Sequence, residues 1–264
     1  MENLRVYGNR PFEVAVIHGG PGAPGEMAPV ARELSSVRGV LEPLQTGTTL
    51  EGQVQELKAV LETNGDPPVT LIGFSWGAML SFILAARYPS LVIRLILIGS
   101  GAYEGKYAAN IMKTRLDRLS EGERDEALAL METLNDPADT DKNTPFARLG
   151  ELISRADSYD PLPHDSGILE CRYDIYQGVW EQASELRSSG ELLRLGEAIR
   201  CPVVAIHGDY DPHTPEGIRE PLSRTLRDFR FILLEKCGHC PWIERNAREV
   251  FYSILEEELP LKTT

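Results

Sequence analysis

Short apolar runs rich in β-branched residues alternate along the chain with longer segments of helical spacing. Six runs predict strands, at residues 12–17, 40–44, 69–74, 91–98, 203–207 and 231–234. The run at 91–98 is continuously apolar except at Arg94, which is typical of a strand that is covered on both faces of a parallel sheet. The chain therefore has the strand pattern of a buried, mostly parallel sheet.

Helical segments separate these runs. Residues 50–61 place their apolar side chains on one helical face, and residues 76–87 predict a second helix. Proline suits the first turn of a helix, so Pro215 and Pro241 predict the starts of two later helices. The alternation of strands and helices predicts an α/β fold with a doubly wound, mostly parallel sheet.

Residues 102–198 break this alternation. They lack strand-like runs and carry 20 acidic and 11 basic residues, together with many helix-forming residues. We expect a helical cap inserted into an α/β core that is formed by residues 1–101 and 199–264. Ordinary helical packing against the sheet is the alternative for this segment.

Composition narrows the class of protein. A chain of 264 residues can form one large α/β domain with an insertion, or two small domains. The net charge of −13 and the lack of a basic patch argue against a nucleic-acid partner. No apolar run approaches the roughly 18 residues that cross a membrane, and the N-terminus lacks the pattern of a signal peptide. Four cysteines do not make a disulfide framework, so we expect a cytoplasmic protein.

The segment Gly73-Phe74-Ser75-Trp76-Gly77 fits the pattern G-x-S-x-G. It follows a predicted strand and precedes a predicted helix, which is the context of a nucleophilic serine on a sharp turn. The glycines allow strand and helix to approach closely, and the serine is presented at the carboxyl end of the sheet, where open α/β sheets bind ligands. Ser75 is therefore the candidate nucleophile, and a turn serine without chemistry is the alternative.

A glycine-rich loop, His18-Gly19-Gly20-Pro21-Gly22, directly follows the first predicted strand. Acyl transfer needs two N–H donors directed at the oxygen that becomes negative. The backbone N–H groups of Gly20 and Trp76 are the candidates for this oxyanion hole. We expect His18 to be a structural hydrogen-bonding residue rather than a base.

Together these motifs resemble the capped α/β-hydrolase superfamily, and HGGPG with S-W-G resembles its prolyl iminopeptidase branch in particular. The resemblance covers most of residues 12–100 and 201–258. It implies an acid after a late strand, and Asp211, four residues before Pro215, matches the pattern D-x-x-x-P. Asp209 is the competing candidate for the same role.

The resemblance also implies a catalytic histidine after the last strand. His239 lies in Gly238-His239-Cys240-Pro241-Trp242, which is similar to the family pattern G-H-x-P-W. It would act as general base toward Ser75 and then as general acid toward the leaving group. The order Ser75, Asp211, His239 along the chain is the order expected for this fold.

The other histidines have weaker claims to chemistry. We expect His207, at the end of a strand, to orient the acid loop, and His213 and His164 to lie on the surface. Cys237 and Cys240 spell C-x-x-C, but they follow the last strand of a much longer sheet than a thioredoxin-like unit has. A zinc site there would lack a fourth ligand. We expect neither a metal nor a cofactor.

The predicted function is a serine hydrolase that cleaves an ester or amide of a small molecule or short peptide through an acyl-enzyme. A proline iminopeptidase-like aminopeptidase is the alternative within hydrolases, and a non-catalytic binding protein on the same fold is the alternative outside them. The segment Val179-Trp180-Glu181 resembles the W-E motif of iminopeptidase caps, so Trp180 and Glu181 are candidate substrate-binding residues. The iminopeptidase branch usually has glycine at the position of Phe74, so a carboxylesterase remains a candidate function.

Overall fold

The computed structural model describes residues 3–165 and 167–259. Seven strands form one sheet in the order β1-β3-β2-β4-β5-β6-β7. Only β1 runs antiparallel to its neighbour, and all other adjacent strands are parallel. The strands are β1 Leu4–Tyr7, β2 Val14–Ile17, β3 Val40–Pro43, β4 Val69–Phe74, β5 Val92–Ile98, β6 Val203–Gly208 and β7 Phe229–Leu234. The predicted α/β fold with a mostly parallel sheet is confirmed.

All six predicted strands are present, and β4 has the predicted bounds. Strand β1 was not predicted, because it has only four residues and lies half-exposed at the edge of the sheet. A charged residue also interrupts its apolar pattern, and Tyr7 and Arg5 of β1 both bond to the buried carboxylate of Glu42. An edge strand of this kind pairs on one side only and needs no continuous apolar run.

Ten α-helices lie within the described residues: α1 Ala28–Leu34, α2 Leu50–Asn64, α3 Trp76–Arg87, α4 Ile111–Arg118, α5 Glu121–Asn135, α6 Asn143–Ala156, α7 Tyr173–Ser188, α8 Glu191–Leu195, α9 Glu216–Thr225 and α10 Arg248–Glu258. The helices predicted at 50–61, at 76–87 and from Pro215 are confirmed. The helix expected from Pro241 is wrong in its position. Only a single 3₁₀ turn starts there, because Glu244 turns extended and pairs with Pro161, so α10 begins later.

Two apolar layers cover the two faces of the sheet. On β4, Leu71 packs into the layer that contains α2 and α3, whereas Ile72 and Phe74 pack into the layer that contains α1 and α10. Helix α3 is buried along its length except at Arg87. The sheet is therefore doubly wound, and its carboxyl edge is the open place for a site.

Between β5 and β6, the described part of residues 102–198 holds helices α4–α8 and no strand. Helices α4–α6 build a small apolar cluster of their own around Leu149 and Leu152. A buried ion pair between Arg115 and Asp157 joins α4 to the end of α6. Two nitrogens of the Arg115 guanidinium donate hydrogen bonds to the Asp157 carboxylate. In the part of the chain that the structure describes, we find no helix with the length and apolarity to cross a bilayer.

Candidate active site

Ser75 lies in the turn between β4 and α3, with φ 51° and ψ −113°. A non-glycine residue at positive φ is strained, at a cost of about 1–3 kcal/mol, and persists only where its surroundings enforce it. Here a Cβ at Gly73 would meet the backbone of Gly77, and a Cβ at Gly77 would meet the carbonyl oxygen of Ile17. Both glycines of the motif are therefore required by packing, and the partly exposed serine is held at the carboxyl edge of the sheet.

The glycine-rich loop is fixed by His18, which is fully buried at the end of β2. Its Nδ1 lies 2.7 Å from the carbonyl oxygen of Gly19, and its Nε2 lies 3.3 Å from the backbone nitrogen of Gln45. A carbonyl can only accept and a backbone N–H can only donate, so the proton resides on Nδ1. Burial lowers the pKa of His18 to about 4, so the ring is neutral and structural, as expected.

This hydrogen bond also determines where Gly20 points. The carbonyl of Gly19 and the N–H of Gly20 belong to one planar trans peptide, so they face in opposite directions. His18 holds the carbonyl and thereby fixes the direction of the Gly20 N–H. The N–H of Trp76 belongs to the first residue of α3 and has no acceptor within its own helix. The two predicted oxyanion donors thus come from backbone that is held in place.

Asp211 and His239 lie in contact. Nδ1 of His239 donates to Oδ2 of Asp211 over 2.6 Å, and both residues are buried. Burial alone would raise the pKa of Asp211, but the neighbouring imidazoles outweigh it and hold that pKa well below its usual range. Burial alone would lower the pKa of His239, but the charge and hydrogen bond of Asp211 raise it above its usual value. The pair stabilises a charged imidazolium.

Asp209, the competing acid, is exposed and accepts a hydrogen bond from the backbone N–H of Cys237. No contact among the described residues joins it to an imidazole. Ser75 and His239 share no hydrogen bond within the described chain either, but the ring of Phe74, next to Ser75, lies 4.8 Å from the His239 ring. Such bonds are often long in unliganded enzymes and tighten with substrate.

The expectation for His213 is wrong. It is 7% exposed rather than on the surface, because its ring and its backbone N–H both bond to Oδ1 of Asp211. His207 is buried and donates from Nε2 to the carbonyl of His213 over 2.6 Å, which fits its expected role in orienting the acid loop. His164 is exposed, as expected.

Glu26 is a residue near the site that the pattern analysis missed. A Cβ placed on Gly19 would lie 2.7 Å from Oε2 of Glu26, so this carboxyl contacts the glycine-rich loop of residues 18–22. Burial raises the pKa of Glu26 to about 7, against the opposing influence of His239. The available signal was an acid four residues after HGGPG, inside a proline- and glycine-rich loop at the carboxyl edge of the sheet.

The inserted segment contacts both loops of the site. The backbone N–H of His239 donates to the carbonyl of Asp157 over 2.9 Å. The fully buried carboxylate of Glu244 accepts from the N–H groups of Tyr159, Asp160 and Gly238, at 2.8, 2.8 and 3.0 Å. On the other side, residues 169 and 172 donate to the carbonyls of residues 24 and 22. The inserted segment therefore contacts the site at residues 157–160 on one side and at residues 169 and 172 on the other.

Trp180 and Glu181 lie on α7. The half-buried indole of Trp180 stacks on Tyr176, with ring centroids 6.1 Å apart. The guanidinium of Arg187 lies over the same indole, 5.7 Å from its centroid. Glu181 is exposed. Within the described residues, no hydrogen bond, ion pair or ring contact joins either side chain to the candidate nucleophile, acid or base.

The four cysteines are free thiols. Burial raises the pKa of Cys237, and it raises the pKa of Cys240 well above its usual range, so both remain protonated near neutral pH. A protonated thiol is a poor nucleophile and a poor metal ligand. In the described chain, the one group with ligand atoms close enough for a metal ion is Asp211, His213 and His239, and these side chains are already bonded to one another.

Comparison with known proteins agrees with this architecture. Residues 16–246 match the family model described as the alpha/beta hydrolase fold. The chain is 26% identical over 254 residues to a pimeloyl-[acyl-carrier protein] methyl ester esterase of Aromatoleum aromaticum, covering 89% of this chain and 93% of that protein. It is 23% identical over 254 residues to a proline iminopeptidase of Lactobacillus delbrueckii subsp. lactis, covering 88% and 85%.

A crystal structure of VinJ superposes with a TM-score of 0.67 at 19% identity, covering 97% of this chain and 93% of that one. The chain spans less than two thirds of the length of several other curated relatives that it matches. Because the family model extends over most of the chain and the sheet has the matching architecture, this protein belongs to the α/β-hydrolase fold family.

Proposed function

We propose that the protein is a serine hydrolase that cleaves an ester or amide of a small molecule through an acyl-enzyme intermediate. Ser75 is the nucleophile, His239 the general base and Asp211 the acid that orients it. The observation that carries this proposal is the 2.6 Å hydrogen bond from His239 to Asp211, on the same sheet edge as the strained turn of Ser75. The similarity to an esterase and to an iminopeptidase, both hydrolases by name, supports it.

The proposed mechanism follows from these positions. Nε2 of His239 takes the proton of Ser75 as the serine oxygen attacks the carbonyl carbon, and Asp211 stabilises the imidazolium without taking the proton. The N–H groups of Gly20 and Trp76 donate to the developing oxyanion. His239 then protonates the leaving group, and a water that it activates releases the acid and restores the free serine.

The substrate class follows in part from the inserted segment, which we propose acts as a cap. Residues 102–198 carry the excess of acidic residues, so neutral or cationic substrates should bind better than anionic ones. Trp180 offers an apolar surface, and Glu181 beside it could hold an amine. With its thiols free, the chain suits a reducing compartment such as the cytoplasm, without a nucleic-acid or membrane partner.

The second candidate is an aminopeptidase similar to proline iminopeptidases. The loop from His18 to Gly22 and the similarity to the Lactobacillus enzyme favour it. A substrate with a free amino group would then bind through an acidic side chain, and Glu181 is the candidate from the cap. A non-catalytic binding protein is the third possibility, but binding alone does not require the hydrogen bond between His239 and Asp211.

The decisive experiment is covalent labelling by a fluorophosphonate, with the labelled residue identified by peptide mass spectrometry. Ser75 should carry the label, and Ser75→Ala should abolish both labelling and turnover of a p-nitrophenyl ester while keeping the fold. Ser36→Ala is a matched control, because this exposed serine lies in the turn between α1 and the start of β3, at the end of the sheet opposite to Ser75. Wild-type turnover in Ser75→Ala would refute the proposal, and a lack of labelling and turnover in the wild type would favour a binding protein.

Comparing two substrates separates the esterase from the aminopeptidase. If the protein is an aminopeptidase, Glu181→Gln should raise KM for an aminoacyl arylamide and leave KM for a simple acetate ester unchanged. Equal effects on both substrates, or none on either, would favour the plain esterase.

A further inference from the structure

Three of the five histidines of the chain surround a single carboxylate. His239 bonds to Oδ2 of Asp211, His213 bonds to Oδ1, and Nε2 of His207 lies 3.7 Å from Oδ2. The reaction proposed above uses only one of these imidazoles. His213 therefore has no role yet, although it makes a closer contact with the acid than His207 does.

The contacts of His213 are directed at one carboxylate oxygen. Its ring Nδ1 lies 2.8 Å from Oδ1 of Asp211, and its backbone N–H donates to the same oxygen over 2.9 Å. Since a carboxylate only accepts, the ring proton must reside on Nδ1. The carbonyl of His213 in turn accepts from His207, so the residue is held on both sides. With Oδ1 occupied twice, the carboxylate cannot rotate without breaking both bonds.

The ring of His213 also lies against the ring of His239. Their centroids are 4.9 Å apart and the planes are inclined by 28°. A side chain at position 213 thus contacts the base as well as its acid. A smaller residue would leave space beside the imidazole of His239, and a residue without a donor would leave Oδ1 of the buried acid with the backbone N–H alone.

We propose that His213 is a positioning residue for the serine hydrolase reaction: it locks Asp211 through Oδ1, so that Oδ2 stays directed at His239, and it packs against the base. This inference rests on the proposed function, because it concerns the efficiency of that base. It assigns to His213 no contact with the substrate.

The electrostatic consequence has a definite direction. The N–H of His213 draws negative charge from Asp211, so its loss makes the carboxylate a stronger partner for the imidazolium and raises the pKa of His239. Burial lowers the pKa of His213 itself, which keeps that ring neutral. The other charged groups that act on His239 are Asp157 and Arg115 from the inserted segment and Glu26 beside the glycine-rich loop of residues 18–22. They remain in place when position 213 is changed.

Two variants separate the effect of the His213 hydrogen bond from the effect of the size of its side chain. His213→Leu removes the ring donor and keeps an apolar side chain, whereas His213→Asn can place its amide nitrogen where Nδ1 lies. We expect His213→Leu to lower kcat for a p-nitrophenyl ester about tenfold, with KM changed less than about twofold. The pH at which kcat/KM falls to half its maximum on the acid side should rise by about half a unit. His213→Asn should recover most of both changes. His164→Leu, at an exposed histidine, is the control.

An NMR measurement tests the geometry without relying on activity. Imidazole protons in buried hydrogen bonds resonate far downfield, so the wild type should show such signals from both His213 and His239, each assigned by substitution. His213→Leu should lose the His213 signal and retain that of His239, and Ser75→Ala should retain both. Failure of the proposed function would appear as turnover in Ser75→Ala, independently of this result.

The inference is overturned if His213→Leu keeps the wild-type kcat and pH profile, or if His213→Asn is as impaired as His213→Leu. It is also overturned if no downfield imidazole signal of the folded wild type disappears in His213→Leu. Should the leucine variant fail to fold, His213→Gln serves in its place, because its amide lies one bond too far to donate to Oδ1. The same comparison with His213→Asn then decides.

Discussion

Replacing Glu26 by glutamine should make the stability of the protein less dependent on pH. The carboxyl of Glu26 lies against Gly19, and burial raises its pKa from 4.5 to about 7. A raised carboxyl pKa means that the folded state binds the proton more tightly than the unfolded state does. The wild type therefore loses stability as the pH rises from about 4.5 through about 7, whereas a glutamine at this position does not titrate.

The size of the effect follows from the two pKa values of Glu26. Each tenfold difference in proton affinity is worth about 1.4 kcal/mol, and partial exposure of the side chain screens some of its charge. Relative to the wild type, Glu26→Gln should therefore gain about 2–3 kcal/mol between about pH 4.5 and about pH 8.5. The glutamine amide can alter stability by a constant amount, so only the change with pH carries the test.

Urea unfolding at about pH 5, 7 and 8.5 measures this difference, followed by tryptophan fluorescence or circular dichroism. Glu181→Gln removes the same charge from an exposed position and is the matched control, with a pH-independent difference expected. If the stabilities of the Glu26→Gln variant and the wild type run parallel over this range, the carboxyl of Glu26 does not have a raised pKa.

Three further changes test the site. Asp211→Asn should lower kcat by about 10⁴ if this triad behaves like the trypsin-type example, and Asp209→Asn far less; steady-state kinetics would show a misassigned acid as a reversed ranking. His18→Phe should lower kcat by about 10²–10³ with little change in KM, because Gly20 loses its fixed direction; a kcat equal to that of the wild type would contradict this. Cys237→Ser combined with Cys240→Ser should keep esterase activity within about tenfold of the wild type. A loss as large as that of Ser75→Ala, in a folded protein, would indicate a redox or metal role for these thiols.

The elements predicted best are those whose signal is local. The strand β4, the turn at Ser75 and the helix α3 follow from an apolar run, two glycines and a helical segment that adjoin in sequence. The acid and base loops lie 28 residues apart, yet the family resemblance directs attention to Asp211 and His239, which do form a contact.

The features that were missed depend on tertiary packing. His213 is buried because its ring turns toward a carboxylate two residues earlier, which residue type alone does not reveal. Glu26 lies in a loop whose fold brings it back against Gly19. The helix expected from Pro241 is interrupted because Glu244 bonds to residues more than 80 positions away along the chain. Each outcome was decided by a partner distant in sequence or by loop geometry, not by local propensity.

The carboxylate of Glu244 makes the inserted segment and the histidine loop one mechanical unit. It holds Tyr159 and Asp160 on one side and Gly238 on the other, and the N–H of His239 is tied to the carbonyl of Asp157. Lifting residues 157–160 from the sheet would therefore pull on the contact between His239 and Asp211. We therefore expect residues 157–160 to stay with the His239 loop if other parts of the inserted segment move.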